Sequence, residues 1–492
     1  MPFLASFKTT TRNILDAIRR CSHWGFLVLG FACLFLWTWL MLQDSGFYME
    51  CRPFREVPLI HPWSLAMAMF VVTFVLFGVF SRFLELRFRS RRALGLLFAA
   101  MVVGLTCIIA AHFLVLPGRA GVVLSLAGAF LLGLVTPFYY LEFVRLLLKL
   151  SLAQIIAICA AATLLASVVY FLALVASGDV LVFLPALLLF GMTVSIWPRK
   201  DASPRGSDEV LPTPHQHLYI PWKLNATAFV QGLAFGAGRM LVSYFGDNWL
   251  VYHSNMLYLS GYVAAAFLVV GFALVMRRKF DTLIYKIGCP LLAVGTLLMS
   301  VTPLIGAACV VSSLGYRLID LLIWSLVPYL AVSKKVPIGW LLGWSTACLY
   351  AGVMTGYFLV DAMMLIADGS VRGIASSFIA FVVMLAALIL TSPSNDAKAW
   401  GSLRPANSTL LQPYFDEAVS ALAKEKGLTA RQQQVFTLLC RGKTRKEIAA
   451  DLVLSQETVK VHMRNVYREF DVHSQQELRS VVEAEEMRLS SQ

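Results

Sequence analysis

Two basic residues near the C-terminus, Lys460 and Arg464, have the type and spacing of groups that bind nucleic acid. Residues four positions apart lie on one face of a helix. Lysine and arginine donate hydrogen bonds to base edges and to phosphate oxygens of DNA. Between residues 428 and 480, nine lysines and arginines outnumber six acidic residues. The segment is therefore predicted to bind DNA; the alternative is that these charges only form a solvated helix face.

Capping patterns predict the helices that would position this face. A Ser or Thr followed three residues later by Glu or Gln satisfies two free N–H groups at a helix start, and this pattern begins at Thr429, Thr444 and Ser474. Ser455 is a fourth N-cap. Four short helices are expected near 430–441, 445–452, 456–469 and 475–485, with a tight connection at 452–454 that is typical of a helix-turn-helix.

This segment resembles the LuxR-type DNA-binding domain over about 55 residues. The matching residues are Leu428-Thr429-Ala430-Arg431, Val435, Leu438-Leu439, Gly442, Glu447-Ile448-Ala449, Leu452, Ser455, Thr458-Val459-Lys460-Val461-His462, Asn465-Val466-Tyr467, Val472-His473-Ser474 and Glu477-Leu478. Two departures are mild: Gln432 stands where the family usually has Glu, and Phe470 where Leu is common.

The resemblance implies roles for individual residues. Lys460, Val461 and Arg464 correspond to the base-reading positions, where the basic groups can donate to guanine O6 and N7 and valine can contact a thymine methyl. The expected phosphate contacts, which position the domain without reading sequence, are Lys443, Arg445, Thr458, His462 and Arg468. The alternative for His462 is a structural role, since a single histidine on such a helix is as often structural as DNA-contacting.

The resemblance also implies the partner, double-stranded promoter DNA, which members of the family commonly bind as a homodimer through the last helix. Val481 and Val482 are the candidate dimer contacts, and the alternative is that they only close the core of the domain.

Most of the remaining chain has the composition of a membrane protein. Of 492 residues, 59% are hydrophobic and 14% charged, and the mean hydropathy is +0.73, which argues against an ordinary soluble enzyme. The nine cysteines form no C-x-x-C pair and have no zinc-type spacing with histidine, so no disulfide framework, metal site or cofactor is predicted.

Twelve apolar stretches are long enough to cross a bilayer as helices. They are Trp24–Leu42, Trp63–Phe80, Ala93–Leu116, Gly121–Val144, Leu150–Ala176, Val180–Trp197, Leu224–Phe245, Asn255–Met276, Leu283–Val301, Gly306–Ala331, Gly339–Ile366 and Gly373–Leu390. We therefore predict an all-α fold in which residues 1–390 form a polytopic membrane domain.

Charge in the connections predicts the orientation of these spans. Twenty lysines and arginines lie in one alternating set of connections and four in the other. Because basic residues favour the cytoplasmic side of a membrane, both termini are predicted to lie in the cytoplasm. The membrane is predicted to be the cytoplasmic membrane of a bacterium.

The longest connection, 198–222, divides the spans into six and six, a topology that resembles the major facilitator superfamily. The loop after the second span, from Gly78 to Arg92, lacks the Asp of that superfamily's motif, which argues against transport.

Four ionisable residues inside the spans are candidate ligand contacts: Arg239, Arg317, Asp320 and Asp361. The alternative is a structural ion pair between Arg317 and Asp320, with capping or interfacial positions for the other two.

Together these features predict a one-component transcriptional regulator. Residues 1–390 would sense a small molecule, 391–427 would be a cytoplasmic linker, and 428–492 would bind DNA. The amphipathic stretch from Tyr414 to Lys426 is either a lever or a passive spacer. The alternative function is a transporter with a fused DNA-binding domain. An enzyme is not expected, since no catalytic set or phosphate loop is present in the sequence.

Overall fold

The computed structural model describes most of the chain. The described ranges are 24–43, 62–87, 90–113, 120–148, 150–175, 178–197, 221–246, 248–276, 279–280, 282–334, 336–366, 371–391, 415–440, 442–452 and 454–490. Throughout these ranges the regular structure is helical, so the chain has the all-α fold that its sequence predicts.

Helices cover all twelve apolar stretches. They are α1 (Trp24–Thr38), α2 (Pro62–Arg87), α3 (Arg91–Phe113), α4 (Ala120–Leu147), α5 (Leu152–Val175), α6 (Gly178–Ile196), α7 (Trp222–Phe245), α8 (Asn248–Val269), α9 (Cys289–Leu298), α10 (Ile305–Lys334), α11 (Ile338–Ile366) and α12 (Val371–Thr391). Segments of π-helix extend α1 (Trp39–Gln43) and α8 (Val270–Val275) and precede α9 (Thr282–Gly288).

Among the described residues, nine of these helices are long and apolar enough to cross a membrane. Two other apolar stretches, Phe183–Ile196 and Thr282–Leu298, are shorter. Helix α7 is not among the nine; its sequence includes Lys223, Gln231 and Arg239. These findings support a multi-pass membrane protein, whereas the predicted twelve crossings remain a prediction.

The helix contacts repeat between α1–α6 and α7–α12. In the first set, α1 packs on α5 and α6, and α4 packs on α2 and α3; in the second, α7 packs on α11 and α12, and α10 packs on α8 and α9. The two sets meet where α2 packs on α11 and where α5 packs on α8. The main contacts of α1 and α4 within the first set are therefore repeated by α7 and α10 within the second set.

Glycines allow the close approach of α7 and α11. A Cβ atom added at Gly232 would meet the Leu349 carbonyl oxygen, and one at Gly236 would meet the Val353 carbonyl oxygen. Gly352 and Gly356 make the reciprocal approach from α11. This interlocked small-xxx-small spacing lets two backbones pack closely without side chains between them.

The C-terminal residues form a second, separate apolar core. It is built from α13 (Phe415–Glu425), α14 (Ala430–Cys440), α15 (Arg445–Leu452), α16 (Gln456–Glu469) and α17 (Gln475–Ser490). The bounds of α14 to α16 agree with the sequence prediction to within a residue. Helix α17 continues five residues beyond its predicted end.

Helix α13 is the main difference from the expected organisation of this region. The side chains of Ala418, Val419, Leu422 and Ala423 are buried in the C-terminal core, and the helix packs on α17 and α14. Residues 415–425 are thus part of the packed C-terminal unit, whereas Tyr414, the first residue of the predicted amphipathic stretch, lies outside the described residues.

Candidate DNA-binding surface and bundle cavity

Side-chain caps fix the starts of the helices that carry the predicted DNA contacts. Ser455 has extended backbone angles, and its hydroxyl accepts the backbone N–H of Thr458 at 3.1 Å. At the start of α15, the Thr444 backbone N–H donates to the Glu447 carboxylate at 2.8 Å, and the Thr444 hydroxyl donates to it at 2.9 Å. These two hydrogen bonds hold the pKa of Glu447 below its ordinary value.

The connections between these helices are held by side chains from outside them. Arg431 Nη2 donates to the Leu452 carbonyl oxygen at 2.9 Å, at the C-terminus of α15. Gln475 Nε2 donates to the carbonyl oxygens of Leu439 and Lys443. Gly442, between them, has a φ of +80°, a backbone conformation that favours glycine. These hydrogen bonds join α14, α15 and α17 around the turn.

One face of α16 is buried in the C-terminal core. Val459 and Val466 are fully buried, and at the end of the helix the Phe470 ring stacks on Phe436 with 4.7 Å between ring centroids. Because the inner face of α16 is fixed in this way, its opposite face must point outward.

The outward face of α16 carries the predicted base-reading residues. Lys460 and Arg464 are exposed, and the side chain of Lys460 is 64% accessible although its Nζ lies 3.7 Å from Glu457. Val461 beside them is 48% exposed, so its methyl groups are open to contact. Arg468, one turn further on, is also exposed. The structure thus brings these four predicted contacts together on one open surface.

The other predicted phosphate contacts are placed less uniformly. Arg445 is exposed at the first position of α15, whereas Lys443 forms an ion pair with Asp451. The Thr458 hydroxyl is hydrogen-bonded to the Ser455 hydroxyl at 2.8 Å. His462 is half-buried, and its Nδ1 has no hydrogen-bond partner among the described residues. Their contacts with phosphate remain predictions.

Glu457, in the first turn of α16, is a residue of this surface that the sequence analysis did not assign to DNA binding. It is exposed and lies on the same stripe as Lys460, Arg464 and Arg468, since these positions recur every three or four residues. A carboxylate on a groove-facing surface can accept a hydrogen bond from cytosine N4. The three- and four-residue spacing from Glu457 to the basic residues was the only feature of the sequence that could have predicted its place on this surface.

A short helix pair with a fixed turn and an exposed basic second helix defines a helix-turn-helix DNA-binding domain. Residues 426–482 match the family described as "Bacterial regulatory proteins, luxR family". The C-terminal part of this chain is therefore a LuxR-type DNA-binding domain, joined to a large helical region with many membrane-length helices.

Three similar proteins each match a short part of the chain. Over 72 residues the chain is 42% identical to an uncharacterized response regulatory protein, YgeK, of Escherichia coli K12, covering 13% of this chain and 49% of that protein. It is 49% identical over 47 residues to a nitrate/nitrite response regulator protein homolog of Haemophilus influenzae, covering 10% and 23%.

A third similar protein is shorter. Over 45 residues the chain is 44% identical to the spore germination protein GerE of Bacillus subtilis 168, covering 9% of this chain and 61% of GerE. The chain therefore spans less than two thirds of the length of each of these three relatives, and what the membrane region does has to be inferred from its own residues.

A cavity within the helical bundle contains two of the four predicted ligand contacts. The open space between its walls is about 550 Å³, solvent at its mouth included. Arg317 and Asp320 of α10 line it and form a buried ion pair with each other. The remaining lining residues come from α1 with its π-helical extension and from α4, α7, α10 and α11: Phe35, Thr38, Trp39, Tyr140, Val144, Ala228, Ile323, Trp324, Val327, Leu342, Ser345, Thr346, Leu349 and Tyr350.

The other two predicted ligand contacts lie outside this cavity lining. Arg239 Nη1 donates to Asn255 Oδ1 at 2.8 Å, and its guanidinium carbon lies 4.8 Å from the ring centroid of Tyr258. Asp361 accepts a hydrogen bond from the Tyr244 hydroxyl at 2.5 Å. The structure therefore divides the four residues between separate places.

Sequence reasoning missed the aromatic walls of the cavity. Trp39, Tyr140, Trp324 and Tyr350 belong to residue types that also form the interfacial belts of membrane proteins, so their types do not separate the two roles. Only the packing of α1, α4, α10 and α11 identifies them as cavity residues.

Proposed function

We propose that this protein is a membrane-embedded one-component transcriptional regulator. Its helical bundle senses a small molecule, and its LuxR-type domain binds promoter DNA on the cytoplasmic side of a bacterial inner membrane. It acts by binding rather than by catalysis, and it binds DNA as a homodimer.

One observation carries the DNA-binding part of the proposal: Lys460, Val461 and Arg464 form an open surface on α16, whose opposite face is buried. A helix that lies in the major groove needs such a surface, because the side chains of one face must reach base edges while those of the opposite face stay packed in the core. The similarity of residues 426–482 to the LuxR family supports the same assignment.

The repeated helix contacts support a bundle of twelve spans in two sets of six. Internal structural repeats are characteristic of major-facilitator-type bundles, which hold their ligand where the two repeats meet. The cavity lies in such a place, since its lining comes from α1 and α4 of the first set and from α7, α10 and α11 of the second.

The orientation follows from charge. Basic residues predominate in the connections on the side of both termini, so the DNA-binding domain lies in the cytoplasm with the DNA. A ligand that binds one conformation of the bundle more tightly shifts the protein toward that conformation and changes the placement or pairing of the attached domain.

DNA binding by the full-length protein in lipid nanodiscs tests the proposal. Fluorescence anisotropy with fragments of its own upstream region, compared with scrambled DNA, should show sequence preference. The double variant Lys460→Ala, Arg464→Ala should lose that preference, with affinity for the preferred fragment falling at least about tenfold.

The matched control is Lys424→Ala, Lys426→Ala, which removes the same two charges from exposed positions before α14. It should retain the sequence preference. If the unmodified protein binds all fragments equally, or if both double variants behave alike, the assignment of α16 as the reading helix is wrong.

The alternative function, transport with a fused DNA-binding domain, is favoured by the cavity between two repeated sets of helices. Uptake or efflux in proteoliposomes would support it, and ligand-dependent reporter expression without flux would exclude it. Protease accessibility of residues 392–492 in inside-out vesicles, but not in right-side-out vesicles, is expected from the proposed orientation.

A further inference from the structure

Arg317 has a donor group without an acceptor in the middle of the bundle. Its Nη1 pairs with Asp320, and its Nη2 donates to the Thr163 hydroxyl at 2.7 Å. The Nε atom is buried and has no hydrogen-bond partner among the described residues. A buried unpaired donor is costly, and for the guanidinium of a residue only 2% exposed this calls for an acceptor that is not part of the protein.

Five of the sixteen residues that line the adjacent cavity are aromatic. The Phe35 ring centroid lies 4.0 Å from the Arg317 guanidinium carbon and 5.6 Å from the Trp324 ring centroid. The Tyr140 ring is 5.4 Å from Trp324, and the Tyr140 and Tyr350 hydroxyls are 3.3 Å apart. Where these rings face the cavity, a planar aromatic guest can stack against them, which an aliphatic guest cannot do.

The charges in the cavity cancel. Arg317 and Asp320 are both charged residues of the lining, and each is the ion-pair partner of the other. An anionic ligand would be attracted by Arg317 but repelled by the Asp320 carboxylate. A cationic ligand would be attracted by Asp320 but repelled by Arg317. Since bringing an unpaired charge into such a site is strongly unfavourable, an uncharged ligand fits best.

We propose that this cavity binds an uncharged molecule with a flat aromatic ring and one acceptor oxygen, such as a carbonyl or hydroxyl oxygen, which accepts the Arg317 Nε–H. Arg317, Tyr140, Trp324 and Tyr350 all line this one cavity, so a single bound molecule can contact both the guanidinium and the rings. This inference rests on the proposed sensing function and names the chemical class of its ligand.

Equilibrium dialysis of the purified full-length protein against four matched radiolabelled probes tests the proposal, with empty micelles as the blank. Benzamide has the ring and the neutral acceptor, benzoate adds a negative charge, benzylamine carries a positive charge, and cyclohexanecarboxamide keeps the amide but lacks the flat ring. Benzamide should bind saturably, at least about tenfold more tightly than each of the others.

Variants connect the binding to Arg317. Arg317→Lys keeps a cation beside Asp320 but removes Nε, and benzamide affinity should fall at least about tenfold. Arg239→Lys is the matched control, since Arg239 does not line the cavity, and it should leave the affinity unchanged. If Arg317→Lys does not fold, Trp324→Leu is the second variant. It should lower the affinity for benzamide and leave the affinity for cyclohexanecarboxamide unchanged.

Absence of saturable benzamide binding would overturn the proposal and leave an ordered water as the acceptor at Nε. Tighter binding of benzylamine or benzoate would overturn it too, by assigning the site to cations or to anions. The dialysis needs no DNA, and the same preparation is assayed separately for sequence-specific DNA binding. A failed ligand class is thereby distinguished from a failed regulatory function.

Discussion

Thr163 accepts a hydrogen bond from Arg317 Nη2 at 2.7 Å, and this contact joins α5 of the first six helices to α10 of the second six. Both residues are buried. Any movement of one set of helices against the other that separates α5 from α10 would leave the guanidinium with a second unpaired donor. Arg317 therefore takes part both in the cavity lining and in the contact between the two sets of helices.

The buried pair should be far more sensitive to substitution than the other polar contacts of the bundle. Asp320→Asn leaves Arg317 as an uncompensated buried charge, which is expected to cost about 3–5 kcal/mol. Asp361→Asn is the matched control; its bond with Tyr244 lies in an exposed position and is expected to cost about 1 kcal/mol. Thermal unfolding in detergent, followed by circular dichroism, measures both. Equal shifts in the midpoint would contradict the assigned importance of the pair.

The glycine contacts between α7 and α11 make a second prediction. Gly236→Ala places a methyl group against the Val353 carbonyl oxygen and should destabilise the bundle by about 1–3 kcal/mol. Gly95→Ala in α3 meets no atom within 4 Å and should be neutral or slightly stabilising, because alanine has the higher helix propensity. The same thermal measurement compares them. A stabilising effect at both positions would mean that α7 and α11 are not in close contact.

The sequence was most informative where local rules decide the structure. Caps at Thr444 and Ser455 located α15 and α16, because side-chain capping is a matter of three or four neighbouring residues. The apolar stretches located α1 to α12 for the same reason, since each helix must satisfy its own backbone.

The sequence was least informative where distant elements meet. Helix α13 was treated as part of a linker because its apolar residues find their partners in α14 and α17, beyond the range of any local pattern. Arg317 and Asp320 were recognisable as unusual, but the contact with Thr163 spans 154 positions. The rings that surround them come from several helices, and only packing could bring them together.

Phosphate contacts should affect the salt dependence of DNA binding rather than its sequence preference. Arg468 is exposed at the end of α16, where it can reach the DNA backbone. Arg468→Ala is expected to reduce the slope of log K against log salt by about 0.9, the value for one phosphate contact. Anisotropy titrations at several salt concentrations measure this slope, and Lys424→Ala should leave it unchanged. An altered base preference without a change in slope would instead make Arg468 a base contact.

The cap of α15 makes the stability of the DNA-binding domain depend on pH. Because the pKa of Glu447 is lowered in the folded state, its contribution is present above the ordinary glutamate pKa, about 4.3, and is lost as the pH falls through the lowered value. Glu447→Gln should lower the free energy of unfolding by about 0.3–1 kcal/mol at pH 7. It should have no effect at a pH below the lowered pKa of Glu447, where the carboxyl group is protonated in the folded protein. Urea denaturation of residues 413–492, which have their own apolar core, measures this from pH 3 to 7. A constant difference between the two proteins at all pH values would exclude the carboxylate as the cause.

Helix α13 should be required for the fold of the DNA-binding domain even though the LuxR-family match begins only at residue 426. Leu422 is 6% exposed and lies in the C-terminal core, so Leu422→Ala is expected to destabilise the fragment 413–492 by about 2–5 kcal/mol. Lys424→Ala on the exposed side of the same helix should change stability by less than about 0.5 kcal/mol.

Helix α13 follows the membrane bundle in the chain and packs on α17, the helix proposed to pair the two subunits. A destabilising Leu422→Ala should therefore also weaken dimerisation on DNA, which the concentration dependence of DNA binding measures. If Leu422→Ala and Lys424→Ala are equally mild, α13 is a passive spacer and the signal from the bundle has to reach α17 by another contact.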